Sequence, residues 1–142
     1  MVMRVMAALM LSAGLAACAS GPAEKGQEDG ATVPWQAEGD WQVVEIAGQP
    51  VAEGMEVTLV FMEEGRVAGR AACNRYNGAV SQSGDSLQFS QMASTRMACP
   101  APLMETEYRY LTLLQEVVGY QLPQADTLIL KAADGGQIVA RR

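Results

Sequence analysis

From about residue 37 onward, apolar and polar positions alternate in short segments separated by turn residues, the pattern of antiparallel strands. Segment 41–46 (Trp-Gln-Val-Val-Glu-Ile) reads as a strand closed by Ala47-Gly48. In segment 57–62 the apolar residues Val57, Leu59 and Phe61 share one face. Glu63-Glu64-Gly65 predicts a hairpin turn, with Gly65 able to supply a positive φ. Segment 66–73 follows with a period of two: Val67, Gly69, Ala71 and Cys73 on one side, Arg66, Ala68, Arg70 and Ala72 on the other. The first of these sides is made of unusually small residues, so a bulky group is expected to pack against it.

Asn77-Gly78 predicts a two-residue turn between Tyr76 and Val80. Ser83-Gly84-Asp85 predicts another before Leu87-Gln88-Phe89. Pro100 and Pro102 open a helix expected over 103–118, with Met104, Tyr108, Leu111, Leu114 or Gln115, and Val118 as its apolar stripe. Glu105 and Glu107 are placed in its first turn and Gly119 just past its end. Segments 120–122, 127–131 and 137–141 complete the strands. The expected fold is α+β: a small curved antiparallel sheet or partial barrel of about eight strands, with one helix packed on its inner face. Tyr108 and Leu111 are expected to press on the small-residue strand.

The start of the chain has a different texture. Fourteen of residues 1–17 are apolar and the one charge is Arg4, which predicts a signal peptide. The apolar run 5–17 is shorter than the roughly 20 residues needed to span a bilayer. Leu15-Ala16-Ala17-Cys18 resembles a lipoprotein box, so Cys18 is expected to be acylated and to become the new N-terminus. Ala19 after it implies the outer membrane, facing the periplasm, in a Gram-negative host. Residues 18–38 read as the acylated cysteine and a flexible linker rich in Gly, Ala, Pro and charge, reaching about 25 Å. Trp35 is the one large residue there that could instead dock on the domain formed by 39–142.

Composition narrows the chemistry. Of 142 residues, 49% are hydrophobic, enough for one buried core. Sixteen acids against ten bases give a net charge of −6, the wrong sign for general nucleic-acid binding. Histidine is absent, which removes His-based triads and His-ligated metal sites. Glu63-Glu64 and Glu105/Glu107 have no evident means of burial, so neither pair is expected to do acid–base work. No catalytic residue, metal site or cofactor is indicated.

The string 72–78 (Ala-Cys-Asn-Arg-Tyr-Asn-Gly), the string 92–99 (Met-Ala-Ser-Thr-Arg-Met-Ala-Cys), the helix and the Trp41-Gln42-Val43 opening resemble the META-domain (HslJ-like) family over about residues 39–141. Ala72 departs from the family's usual glycine, so the backbone is expected to differ there. The resemblance implies a β-rich domain with one helix on an envelope lipoprotein, with a role in heat-shock or envelope stress or drug tolerance. It implies no enzymatic activity and no cofactor.

Within that frame Cys73 and Cys99 are either a disulfide, in an oxidising periplasm where Cys18 is lipidated, or two buried thiols. A bridge closing a loop of about 27 residues would stabilise the fold by roughly 3.5 kcal/mol. Asn74, Tyr76, Gly78, Thr95 and Met97 are the motif positions, candidates for a binding surface or for turn and rim structure. Arg66, Arg70, Arg75 and Arg96, against Asp85 alone, make a local charge of +3. They form either a basic patch for lipid phosphates or an acidic partner, or a solvated strand face. The expected protein is a monomer held to the membrane through Cys18, presenting its surface to an envelope partner. Inhibition of an envelope hydrolase, or a pilot role with a helix–sheet groove for peptide or lipid, are the alternatives.

Overall fold

The computed structural model describes residues 37–142; the leader, Cys18, most of the linker and Trp35 lie outside the described residues. Alternation in the sequence becomes alternation of side chains across a sheet. The expected face of Val57, Leu59 and Phe61 is buried, Leu59 and Phe61 within β3 (Thr58–Met62). From β1 (Gly39–Ile46), Trp41, Val43 and Ile46 point inward. The three-residue step from Val43 to Ile46 is absorbed by a bulge at Val43/Glu45 opposite β9 (Gln137–Arg141). Ala47 and Gly48, both at positive φ, turn the chain into the two-residue β2 (Gln49–Pro50).

The predicted turn at 63–65 forms a short 3-10 segment with Glu64 at φ +60° and Gly65 at φ +66°. It leads into β4 (Arg66–Ala71), then β5 (Asn74–Ser83) and, across the predicted turn at Gly84-Asp85, β6 (Ser86–Ser94). Helix α1 (Ala101–Gln115) follows, then β7 (Val117–Gln124), β8 (Thr127–Ala132) and β9. All neighbours are antiparallel, and β1 pairs with β9. The result is an eight-stranded barrel, β1 and β3 to β9, with β2 as an extra strand on β1: an α+β fold as expected. Strands β6 and β7 meet only at Ser86 and Gly119. The helix connects them in the chain and packs on β1, β4, β6, β8 and β9. Its Tyr110, Leu113 and Leu114 join the same core as Trp41, Leu59, Leu128 and Ile138.

Four local expectations are corrected. The helix runs from residue 101 to 115, so Glu105 and Glu107 fall in its second turn, and Val118 and Gly119 belong to β7. Its buried face is Thr106, Glu107, Tyr110, Leu113 and Leu114, rotated by about one residue, or ~100°, from the expected stripe. Tyr108 is 75% exposed and Met104 lies near the surface; Tyr110 is the residue that reaches the small-residue strand. The reason is that Thr106 and Glu107 find hydrogen-bond partners inside, so two polar side chains can be buried.

The third correction is Asn77-Gly78, which lies within β5, opposite Ala68 and Val67. A Cβ at Gly78 would stand 2.9 Å from the Ser90 carbonyl and 2.3 Å from the Met92 sulfur. This glycine serves close approach at the β5–β6 bulge, where Gln91 takes φ +52°. The turn between β4 and β5 is Ala72-Cys73. Fourth, Ala72 does hold a positive φ (+66°) despite its Cβ. Cys73 N–H donates to the Ala71 carbonyl at 2.8 Å, closing a γ-turn about Ala72 in the rare positive-φ form.

Candidate functional site

Three of the five motif residues, Asn74, Thr95 and Met97, converge where β5 begins. The Ala72-Cys73 turn places Asn74 at the end of the barrel, 1% exposed, and the Cys73–Cys99 disulfide holds the chain after β6 against it. Asn74 is a hub. Its backbone N–H donates to Glu107 Oε2 at 2.7 Å and its Nδ2 to Glu107 Oε1 at 2.9 Å. Its Oδ1 accepts from the Thr95 hydroxyl at 3.0 Å and from Met97 N–H at 2.7 Å. Thr95 Oγ1 also accepts Arg75 N–H. Every polar group of the Asn74 side chain is therefore used internally.

Glu107, expected to be solvated, is only 9% exposed, and Asn74 is the reason burial is tolerable. No motif signal marked it; its only sequence sign was a position three residues before Tyr110 on the true inner face. Of the motif residues, Thr95 and Met97 are exposed, and Met97 is the large apolar one, 53% exposed. It lines a shallow concavity of about 390 Å³ with Arg96, Met104 and the rim of the hub.

A second constellation lies on the wall of the barrel. Strands β3 and β4 pair at Val60–Ala68, Phe61–Val67 and Met62–Arg66, and again at a bridge between Val57 and Ala71. Between these stretches the ladder opens. The Arg70 N–H turns to the Thr58 hydroxyl at 2.9 Å, and the freed Thr58 carbonyl accepts the Tyr76 hydroxyl at 2.7 Å. Gly69 makes room for this, since a Cβ there would stand 2.1 Å from the Thr58 oxygen and 2.8 Å from the Tyr76 oxygen. Tyr76 and Tyr110 hydroxyls lie 2.7 Å apart, with rings edge to face. Each phenol has one hydrogen, and a carbonyl can only accept, so Tyr110 donates to Tyr76 and Tyr76 to Thr58. Burial drives both phenols to ionise well above the ordinary tyrosine range.

Two of the four candidate arginines lie at this opening. Arg70 and Arg75 stand directly opposite each other on β4 and β5, so their side chains share the outer face. With Glu56, Thr58, Gly69, Tyr76 and Asn77 they line a groove of about 480 Å³. Arg66 pairs with Ala79, four residues along β4 from Arg70. Arg96 belongs to the other concavity, over the hub. Among the described residues no cluster of three or more metal-ligating side chains occurs, and no helix is long and apolar enough to cross a membrane.

An eight-stranded antiparallel barrel with one helix across an opening, and an asparagine–disulfide hub beside it, defines a class of small β-barrel domain. The META domain family matches residues 34–142, and the chain belongs to that family. Among solved structures, the chain is similar to a Burkholderia xenovorans protein determined by NMR. The two share 24% identity at a TM-score of 0.62, over 83% of this chain and 97% of that one. A second NMR structure matches at 24% identity and TM-score 0.60, over 74% and 89%. A DUF4847 family protein from Bacteroides vulgatus shares 14% identity at TM-score 0.60, over 75% and 94%. These likenesses establish the fold. No curated protein matches the chain.

Proposed function

We propose that this META-domain protein is an outer-membrane lipoprotein, acylated at Cys18 and facing the periplasm. Its barrel has a non-enzymatic role in envelope stress or drug tolerance, as a rigid scaffold presenting a surface to another envelope component. The observation that carries the non-enzymatic reading is the saturation of the motif. Asn74, Thr95 and Glu107 bond to one another and to backbone, and the Tyr76 hydroxyl is committed to Thr58 and Tyr110. Such internally bonded groups suit the walls of a scaffold rather than proton transfer or attack on a substrate. The envelope reading is supported by the apolar leader ending in Ala16-Ala17-Cys18 and by the pairing of the other two cysteines as a disulfide, which suits an oxidising compartment.

The test is genetic and chemical together. Deletion of the gene in the native host should sensitise cells to envelope stress, wild type should restore tolerance, and Cys18→Ser should not. Mass spectrometry of the native protein should find an acylated Cys18 at its N-terminus. An intact residue 1 without lipid, or full rescue by Cys18→Ser, would overturn the reading.

A further inference from the structure

We propose that the opening between β3 and β4 is a binding site for a phosphate group, held by the neighbouring guanidinium groups of Arg70 and Arg75. This goes beyond the envelope role proposed above and does not depend on it. Like charges directly opposite each other on adjacent strands destabilise a sheet. Nothing in the barrel's packing calls for a cation at either position, both of which face outward. The one carboxylate within ion-pair range of the two, among the described residues, is Glu56, 3.8 Å from Arg70 and itself 60% exposed. Arg75 has no such partner there. Two cations are thus held together over a groove in a chain whose net charge is −6.

The groove beneath them is built for an oxygen-rich group. Its floor is the gap in the ladder, kept open by Gly69 and by the Tyr76 phenol. The Thr58 hydroxyl accepts from Arg70 N–H, and among the described residues its own hydrogen finds no acceptor, so it remains a donor at the floor. Asn77 also lines the groove. A carboxylate has two oxygens in one plane and is satisfied by a single guanidinium fork. A tetrahedral phosphate ester offers three oxygens and up to two charges, which matches two forks side by side on one face and a hydroxyl beside them. The phosphate can come from a lipid headgroup or from a free phosphate compound.

The experiment uses the full chain in neutral detergent micelles, with the Arg Nε–H signals followed by NMR. The probes are inorganic phosphate, phosphatidic acid doped into the micelles, and acetate as the carboxylate control. Phosphate should shift the Arg70 and Arg75 signals saturably. Arg70→Gln and Arg75→Gln should each weaken binding about tenfold or more, and Arg66→Gln should leave it unchanged. Saturation by inorganic phosphate identifies a free phosphate compound as the source. Saturation by phosphatidic acid alone identifies a lipid headgroup. Both support the site. It is overturned if neither probe binds, if acetate binds as tightly as phosphate, or if Arg66→Gln weakens binding as much as Arg75→Gln, which would indicate diffuse surface charge. Arg75→Lys keeps the charge and loses the fork, so it should also weaken binding. Far-ultraviolet circular dichroism checks that each variant stays folded.

Discussion

Tyr110 donates its hydroxyl hydrogen to Tyr76, and that single bond ties the helix to the point where the barrel wall opens. The two residues are not equivalent. Tyr76→Phe removes the donor to the Thr58 carbonyl and the acceptor for Tyr110 together, leaving two buried groups unmet. It should cost about 2–3 kcal/mol, whereas Tyr110→Phe loses one neutral bond and should cost about 1 kcal/mol. Urea unfolding of the two variants gives the order directly; equal losses would show that the bonds are not chained in this direction.

The same pair sets an alkaline limit. Both phenols ionise at higher pH in the barrel than in the unfolded chain, because burial disfavours the phenolate. Their contribution to stability is therefore complete below about pH 10, the unfolded value. It is lost as pH rises beyond that, where the unfolded chain releases protons the barrel keeps. Ultraviolet titration should find two of the four tyrosines silent until the protein unfolds.

At the hub, Glu107→Ala leaves Asn74 N–H and part of its amide without acceptors and should destabilise by about 3 kcal/mol or more. Asn74→Asp sets a second carboxylate against Glu107 where an N–H stood 2.9 Å away. Adding Glu107→Gln to that variant restores a donor facing an acceptor. The pair should recover more than about 1 kcal/mol relative to the sum of the single changes. Additive losses in a double-mutant cycle would dissolve the hub as an interacting unit.

Ala72 is a position where a substitution should help. A non-glycine residue at φ +66° carries a penalty of about 1–2 kcal/mol. Ala72→Gly should raise stability by about 0.5–1 kcal/mol, the remainder going to the freer unfolded chain and the lost buried methyl. A lower urea midpoint for Ala72→Gly would count against strain at this turn.

The Cys73–Cys99 bridge encloses a sequence separation of 26 residues. Reduction, or the double change Cys73→Ser with Cys99→Ser, should lower stability by about 3–4 kcal/mol. Thiol labelling of the unfolded, unreduced protein should find no free sulfhydryl at either position.

Much of the barrel is legible in the sequence. The inward set Val57, Leu59 and Phe61, the turns at 47–48, 63–65 and 84–85, and the last three strands all follow from local alternation and turn chemistry, which report on backbone geometry within a few residues. Asn77-Gly78 misled because its turn signal is local, while its glycine answers to Met92 and Ser90 across the sheet. The helix face misled because counting apolar residues treats Thr106 and Glu107 as solvent-facing.

By itself, the sequence determined most of the strands, the single helix and the META family, since each rests on residues close together in the chain. Tertiary structure alone decided the site. Asn74 meets Glu107 across 33 residues, Tyr76 meets Tyr110 across 34, and Arg70 meets Arg75 only because the intervening turn is Ala72-Cys73. A polar side chain can be buried only where a distant partner satisfies it, and a periodicity confined to its own segment carries no record of that partner.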